Sequence, residues 1–123
     1  MKKIIGMFLF IVGLFSACSK VSDKDLVQAR KAVKNGALIV DVRTPEEFKV
    51  KHVSGSINLP IQEIRKGNIQ LPKDKEIVVY CRAGKRSKMS AKILREQGWI
   101  VYDVATQAEW KRKIKLNNHL FPR

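Results

Sequence analysis

An α/β fold, a parallel sheet with helices on both faces, is predicted by three features of the sequence. Short apolar runs rich in β-branched residues recur at Ala37-Leu38-Ile39-Val40, Ile77-Val78-Val79-Tyr80 and Trp99-Ile100-Val101-Tyr102, as in strands buried on both faces. Helix signals occupy the stretches between them, an alternation that builds parallel sheets with right-handed crossovers. Polar clusters follow two of the runs, Asp41-Val42-Arg43 and the segment from Cys81 to Ser87, and sites in such sheets gather at the C-terminal ends of strands. The chain has 123 residues, no internal repeat and no low-complexity segment, which suits one domain.

The elements follow in order. Asp23 is placed to cap a helix over 24–34, with Leu26, Ala29, Ala32 and Val33 on one face and Asn35-Gly36 ending it. The strand 37–40 comes next. Thr44-Pro45-Glu46-Glu47 is a helix start, with Thr as cap, Pro in the first position and Glu in the third; that short helix ends near Lys51. Residues 54–56 form a turn, 57–59 a brief strand stopped by Pro60, and 61–69 a weak helix broken at Gly67. The strand 76–80 delivers Cys81 to its C-terminal end. A loop over 82–85 leads into a helix over 86–97, ended by Gly98. The last strand spans 99–104, and a final helix covers 107–115. Trp99, Trp110 and Phe48 read as core, His52 as a hydrogen-bonding anchor in a turn, and His119 has no evident partner.

The N-terminus reads as a targeting segment. Lys2 and Lys3 precede an apolar run over 4–15, too short for the roughly 20 residues of a membrane span, and small residues follow, the order of a secretory signal. Ser16-Ala17-Cys18 resembles the lipobox of bacterial lipoproteins, with Phe15 where that motif prefers Leu. The expected division is a signal peptide over 1–17 cut before a lipidated Cys18, a tether over 18–25, a domain over 26–115 and a basic tail over 116–123. Cleavage after Ser19, or an uncleaved anchor, are the alternatives, and all three place the domain outside the cytoplasmic membrane. The lipobox reading implies a lipid anchor on the periplasmic side of a bacterial envelope. Ser19 does not resemble an inner-membrane retention signal, which favours the outer membrane. A lipidated Cys18 leaves Cys81 as the mature chain's lone thiol; otherwise a Cys18–Cys81 disulfide is open.

The chain is basic, with 25 Lys and Arg against 11 Asp and Glu and a formal net charge of +14. Such a field attracts small anions or anionic surfaces. Nucleic acid is a poor partner, since export argues against it and no aromatic-interleaved basic motif is present.

Cys81 carries the chemistry. A Cys ending a buried strand can be a small hydrophobe, but Arg82, Lys85 and Arg86 set three cations within five positions of it. Gly84 permits a tight left-handed turn, and a helix begins directly afterwards. Strand, tight loop and helix start aim N–H groups and the positive helix terminus at one point, which favours thiolate over thiol and holds anions.

These residues resemble the rhodanese family. Residues 38–48, Leu38-Ile39-Val40-Asp41-Val42-Arg43-Thr44-Pro45-Glu46-Glu47-Phe48, are similar to its first block, His52-Val53-Ser54-Gly55-Ser56-Ile57-Asn58-Leu59-Pro60 to its second, and Ile77-Val78-Val79-Tyr80-Cys81-Arg82-Ala83-Gly84-Lys85-Arg86-Ser87 to its active-site block. Lys51 and Ser54 replace the usual Gly and Pro, and Ala105-Thr106 replaces a Gly-Gly turn that borders the site. The resemblance implies a rhodanese-like sheet and a sulfurtransferase cycle. The Cys81 thiolate takes the outer sulfur of a donor such as thiosulfate, and a thiophilic acceptor such as cyanide or a thiol removes it from the persulfide. It implies Arg82, Ala83, Gly84, Lys85 and Arg86 as the cradle; Arg86, a planar guanidinium at the helix start, reads physically as the grip on two donor oxygens. Asp41 and Arg43 match the family pattern and read physically as a loop brace. No metal, nucleotide or other cofactor is implied. Phosphatases and arsenate reductases with a similar loop place five residues between Cys and Arg, whereas Cys81 and Arg86 are separated by four. A module that only binds partners usually lacks the Cys, and a persulfide or thiol-redox relay to a protein uses the same residues.

Overall fold

The structure, a computed structural model, describes residues 20–115. The signal segment, Cys18, His119 and the tail over 116–123 lie outside the described residues. The elements run α1 (Asp23–Lys34), β1 (Leu38–Asp41), α2 (Pro45–Val50), β2 (Ile57–Asn58), α3 (Ile61–Lys66), β3 (Ile77–Cys81), α4 (Lys85–Glu96), β4 (Val101–Thr106) and α5 (Gln107–Lys111). The strands form one sheet in the order β2-β1-β3-β4, and every pairing is parallel. The predicted α/β sheet with helices on both faces is what forms.

Alternation along β3 divides the core. Successive side chains point to opposite faces, so Ile77, Val79 and Cys81 pack with Ile64, Ala91 and Leu94 under α3 and α4. Val78 and Tyr80 pack with Leu26, Ala29 and Val104 under α1 and α5. All five β3 residues are buried, and each large aliphatic side chain removed from water contributes about 1.5–3 kcal/mol. The strand that presents the sulfur is thus the most firmly held in the sheet, and its parity puts Cys81 on the α4 side.

Several boundaries differ from the sequence reading, each for a local reason. Helix α1 begins at Asp23, and its cap is Ser22, whose Oγ accepts from the Asp25 N–H at 3.1 Å. Asp23 is released to pair with Arg112 at 2.6 Å. The stretch read as tether therefore ends earlier: Val21 is already buried, and its N–H donates to Glu109 at 3.1 Å. Strand β4 starts at Val101 because the Trp99 N–H still donates to the carbonyl of Leu94 and closes the helix end. It runs on to Thr106 through an irregularity, since the pairings Val79↔Asp103 and Cys81↔Thr106 leave one extra residue on β4. Ala105 sits in that bulge at φ +61°.

Helix α5 stops at Lys111 rather than running to 115. Arg30 donates to the carbonyls of Trp110 and Arg112, both at 2.6 Å, and Arg112 is extended, its guanidinium held by Asp23, Glu109 and the Val21 carbonyl. Those acceptors compete with another helical turn. Trp99 lies in the core under α3 and α4, and Trp110 packs, partly buried, on the core of the opposite face, but Phe48 is not core: α2 buries no residue, and the Phe48 ring stacks on His52 at 3.8 Å.

Candidate active site

Cys81 closes β3 with its side chain under the N-terminus of α4, and it is 1% exposed. Gly84, the residue before the helix, has φ +97°, a left-handed conformation that glycine adopts without steric penalty. That turn brings the Gly84 N–H to 3.0 Å from Cys81 Sγ. One helical turn later the Ser87 N–H reaches the same sulfur at 3.3 Å, and the Ser87 hydroxyl donates to the Gly84 carbonyl at 3.1 Å, closing the loop on itself. Among the described residues no acceptor takes the N–H groups of Arg82, Ala83, Lys85 or Arg86. The loop is therefore a ring of donors with a sulfur at its base.

The cations are arranged differently from expectation. Arg82, Ala83 and Lys85 are exposed at the rim. Arg86, read from sequence as the grip on donor oxygens, instead presents its fork to Glu47, at 2.7 Å to Oε1 and 3.1 Å to Oε2. A carboxylate matches two guanidinium N–H groups, so those donors are occupied. The Arg86 hydrogen bonds hold the Glu47 carboxyl down at about 2, and Glu47 in return raises Arg86, with Cys81 a further contributor. Sequence reasoning used Glu47 only as a capping residue. It does that too, since the capping box with Thr44 is complete. The second role joins positions 39 apart and leaves no local pattern.

Asp41 and Arg43 form a brace beside the loop. Arg43 donates through Nε and a terminal nitrogen to both oxygens of Asp41, at 2.7–3.0 Å, and through the same terminal nitrogen to the Lys51 carbonyl at 2.6 Å. Tyr80 donates to Asp41 at 2.8 Å, accepts from the Val53 N–H at 3.0 Å and meets Ser56 at 3.2 Å. Asn58 donates to the carbonyls of Asp41 and Arg43. Asp41 is fully buried and the Arg43 side chain nearly so; Asp41 raises Arg43, while burial raises the Tyr80 phenol. Removing one member of such a pair strands the other charge, at a cost of about 3–5 kcal/mol. Asp41 pairs with Tyr80 in the sheet, so the brace ties the ends of β1 and β3, next to Cys81, to the segment between α2 and β2.

His52 is exposed, with Nδ1 at 2.8 Å from the Phe48 carbonyl. Among the described residues no group of three or more His, Cys, Asp or Glu is placed to hold a metal ion. Two cavities, of about 360 and 670 Å³, are lined by residues of α1, α4 and β4 and by residues of the two ends of the described chain; neither is lined by Cys81 or its loop.

The rhodanese-like domain family matches residues 24–113. The sulfurtransferase of Allochromatium vinosum is 34% identical over 77 residues, 63% of this chain and 72% of its own length. Thiosulfate sulfurtransferase PspE of Escherichia coli is 39% identical over 62 residues, 49% of this chain and 60% of its own length. Against YrkF of Bacillus subtilis the identity is 32% over 77 residues, and the chain spans 42% of that protein. Among solved structures, a rhodanese-related protein from Thermoplasma volcanium has a TM-score of 0.59 at 31% identity, covering 69% of this chain and 85% of its own. A rhodanese with anions from Escherichia coli has a TM-score of 0.54 at 30% identity, covering 66% and 100%.

Proposed function

This chain belongs to the rhodanese-like domain family, and from that premise we propose that it moves sulfane sulfur from thiosulfate or a similar anionic donor to a thiophilic acceptor through a persulfide on Cys81. The observation that carries the reading is the pair of N–H groups, of Gly84 and Ser87, aimed at Cys81 Sγ from the start of a 12-residue helix. In the first half-reaction the Cys81 thiolate attacks the outer sulfur of thiosulfate, the S–S bond of the donor breaks, and sulfite leaves with its electron pair. In the second, the acceptor attacks the outer sulfur of the persulfide and Cys81 departs as thiolate. Both steps develop negative charge on sulfur. The N–H groups of Arg82, Ala83, Lys85 and Arg86 are the donors left to receive the outer atom, and preorganised donors in such a position stabilise charge as it forms. The exposed side chains of Arg82 and Lys85 are the cations that first meet the donor. Asp41 and Arg43 hold the neighbouring loops.

Replacement of Cys81 by Ser tests this directly. Thiosulfate–cyanide sulfurtransferase activity is expected to fall to background while the far-ultraviolet spectrum and unfolding midpoint stay near those of the parent; retained turnover contradicts the assignment.

The export reading is part of the same proposal. Residues 1–17 act as a signal cut before Cys18, and a lipidated Cys18 anchors the domain on the periplasmic side of the envelope, at the outer membrane. Lipidation leaves a protein stably attached when two or more chains are present. Cys18→Ala is expected to move the protein from the membrane pellet to the soluble fraction; an unmodified N-terminus at Lys20 in the parent points instead to ordinary cleavage.

A further inference from the structure

The face of α4 that leads away from Cys81 is cationic and unpaired. Lys85, Lys88 and Lys92 lie at spacings of three and four, so they share one side of the helix, and all three are exposed. Met89, on the same side, is 43% exposed, and Arg82 stands exposed at the loop end of the row. Among the described residues none of these four cations is bridged to a carboxylate; the bridges present involve Arg43, Lys66, Arg86 and Arg112. The arrangement works against the helix, because its first turn holds no acid, cations there oppose the helix dipole, and Lys88 with Lys92 is a like-charge pair four residues apart. Among the described residues no ion pair offsets that cost.

Length decides what such a row can serve. Seven residues of helix extend about 10 Å, more than a small dianion can bridge. A bilayer laid on this face would cover the mouth of the loop above the sulfur, where Arg82, Ala83 and Lys85 are exposed. A protein that brings its own thiol to that mouth would lay its flank along the row. We propose that the Arg82–Lys85–Lys88–Lys92 face, with Met89 as its apolar contact, is the docking surface for an acidic protein that accepts sulfur from Cys81 on a cysteine thiol. The proposal rests on the sulfur-transfer reading above and names its acceptor class. In the transfer, the partner's thiolate attacks the outer sulfur of the Cys81 persulfide, the Sγ–S bond breaks, and its electron pair returns to Cys81 as thiolate. The new S–S bond leaves a persulfide on the partner, with no outside oxidant or reductant. Complementary charge of this kind raises encounter rates and fades with salt.

The test uses the full chain, its K88E/K92E variant and two synthetic peptides, one with Cys flanked by Asp and Glu and one with Cys flanked by Asn and Gln. At low ionic strength sulfur transfer from thiosulfate to the acidic peptide is expected to be about tenfold faster than to the neutral one. High salt is expected to erase the difference. K88E/K92E is expected to lose the preference while thiosulfate–cyanide turnover is unchanged. Versions of both peptides with Ser in place of Cys, followed by fluorescence anisotropy, read docking without the chemistry. A chain that takes no sulfur from thiosulfate yet binds the acidic Ser peptide through Lys88 and Lys92 contradicts the transfer reading and keeps the docking face. Equal treatment of both peptides, or a preference that survives K88E/K92E, overturns the docking face. So does binding to phosphatidylglycerol vesicles that K88E/K92E abolishes while neither peptide is preferred, an outcome that assigns the face to a membrane.

Discussion

Glu47 changes what Arg86 can do. A guanidinium whose fork is filled by a carboxylate contributes little net charge to an incoming dianion, so the pair acts as a wall of the loop more than as a lure. Removing Arg86 alone leaves Glu47 uncompensated beside the site. Arg86→Ala is therefore expected to raise the thiosulfate KM by an order of magnitude or so, and the Glu47→Gln/Arg86→Ala double variant to recover part of that loss. Steady-state kinetics at fixed ionic strength measure both, and equal KM for single and double variants would show that Glu47 is electrostatically silent. The same pair predicts a pH dependence. The Glu47 carboxyl is lowered from 4.5 to about 2 in the folded chain, so its contribution to stability is fully present above about 4.5 and is lost as pH falls from there toward 2. The parent is expected to lose thermal midpoint between pH 5 and 3 more steeply than Glu47→Gln. From sequence, Cys81, Gly84 and the cations were legible because strand, glycine and helix start are contiguous. Glu47 and the Ser87 N–H contact were not, since the first depends on a distant neighbour and the second on how the loop closes.

Ala105 and Thr106, at the end of β4, stand where the family resemblance implies Gly-Gly, and the difference has a visible consequence. Ala105 occupies a left-handed conformation, φ +61°, supported by its N–H donating to Asp103 at 2.9 Å. An L-residue there carries about 1–2 kcal/mol of strain. Glycine would relieve it but gives back roughly 0.5–1 kcal/mol in chain entropy and about 0.8 kcal/mol of methyl burial. Ala105→Gly is thus expected to leave stability within about 1 kcal/mol of the parent. Ala105→Val, β-branched and buried at positive φ, is expected to lose about 1–3 kcal/mol. Urea midpoints at constant slope measure both, and a well-tolerated Val would contradict the left-handed assignment. The sequence marked this turn by the absence of Gly-Gly; that Ala105 keeps a glycine-like backbone angle required the register of β4 against Cys81. The early ends of α1's tether and of α5 were illegible for a related reason. They are set by Arg30, Arg112 and Glu109 reaching 80–91 residues along the chain, and such ties imprint no period.

The parallel α/β class was legible because short branched runs alternate with helix signals, two of the runs ending in polar clusters; the strand order β2-β1-β3-β4, and the parity that sets Cys81 toward α4 and Tyr80 toward the brace, were not, since they depend on how the strands pair. Polar ends and packed runs together put the Cys81 sulfur at the C-terminal edge of the most buried strand, between a buried ion pair and a ring of N–H donors, with exposed Arg82 and Lys85 at the rim. That arrangement suits an anionic donor, an anionic intermediate and an acceptor arriving from solvent. The direct measurement is intact-protein and peptide mass spectrometry after incubation with thiosulfate and removal of excess donor. The account predicts one added sulfur atom, localised to the peptide containing Cys81, released by cyanide and absent from Cys81→Ser; an unmodified Cys81, or sulfur carried elsewhere on the chain, would contradict it.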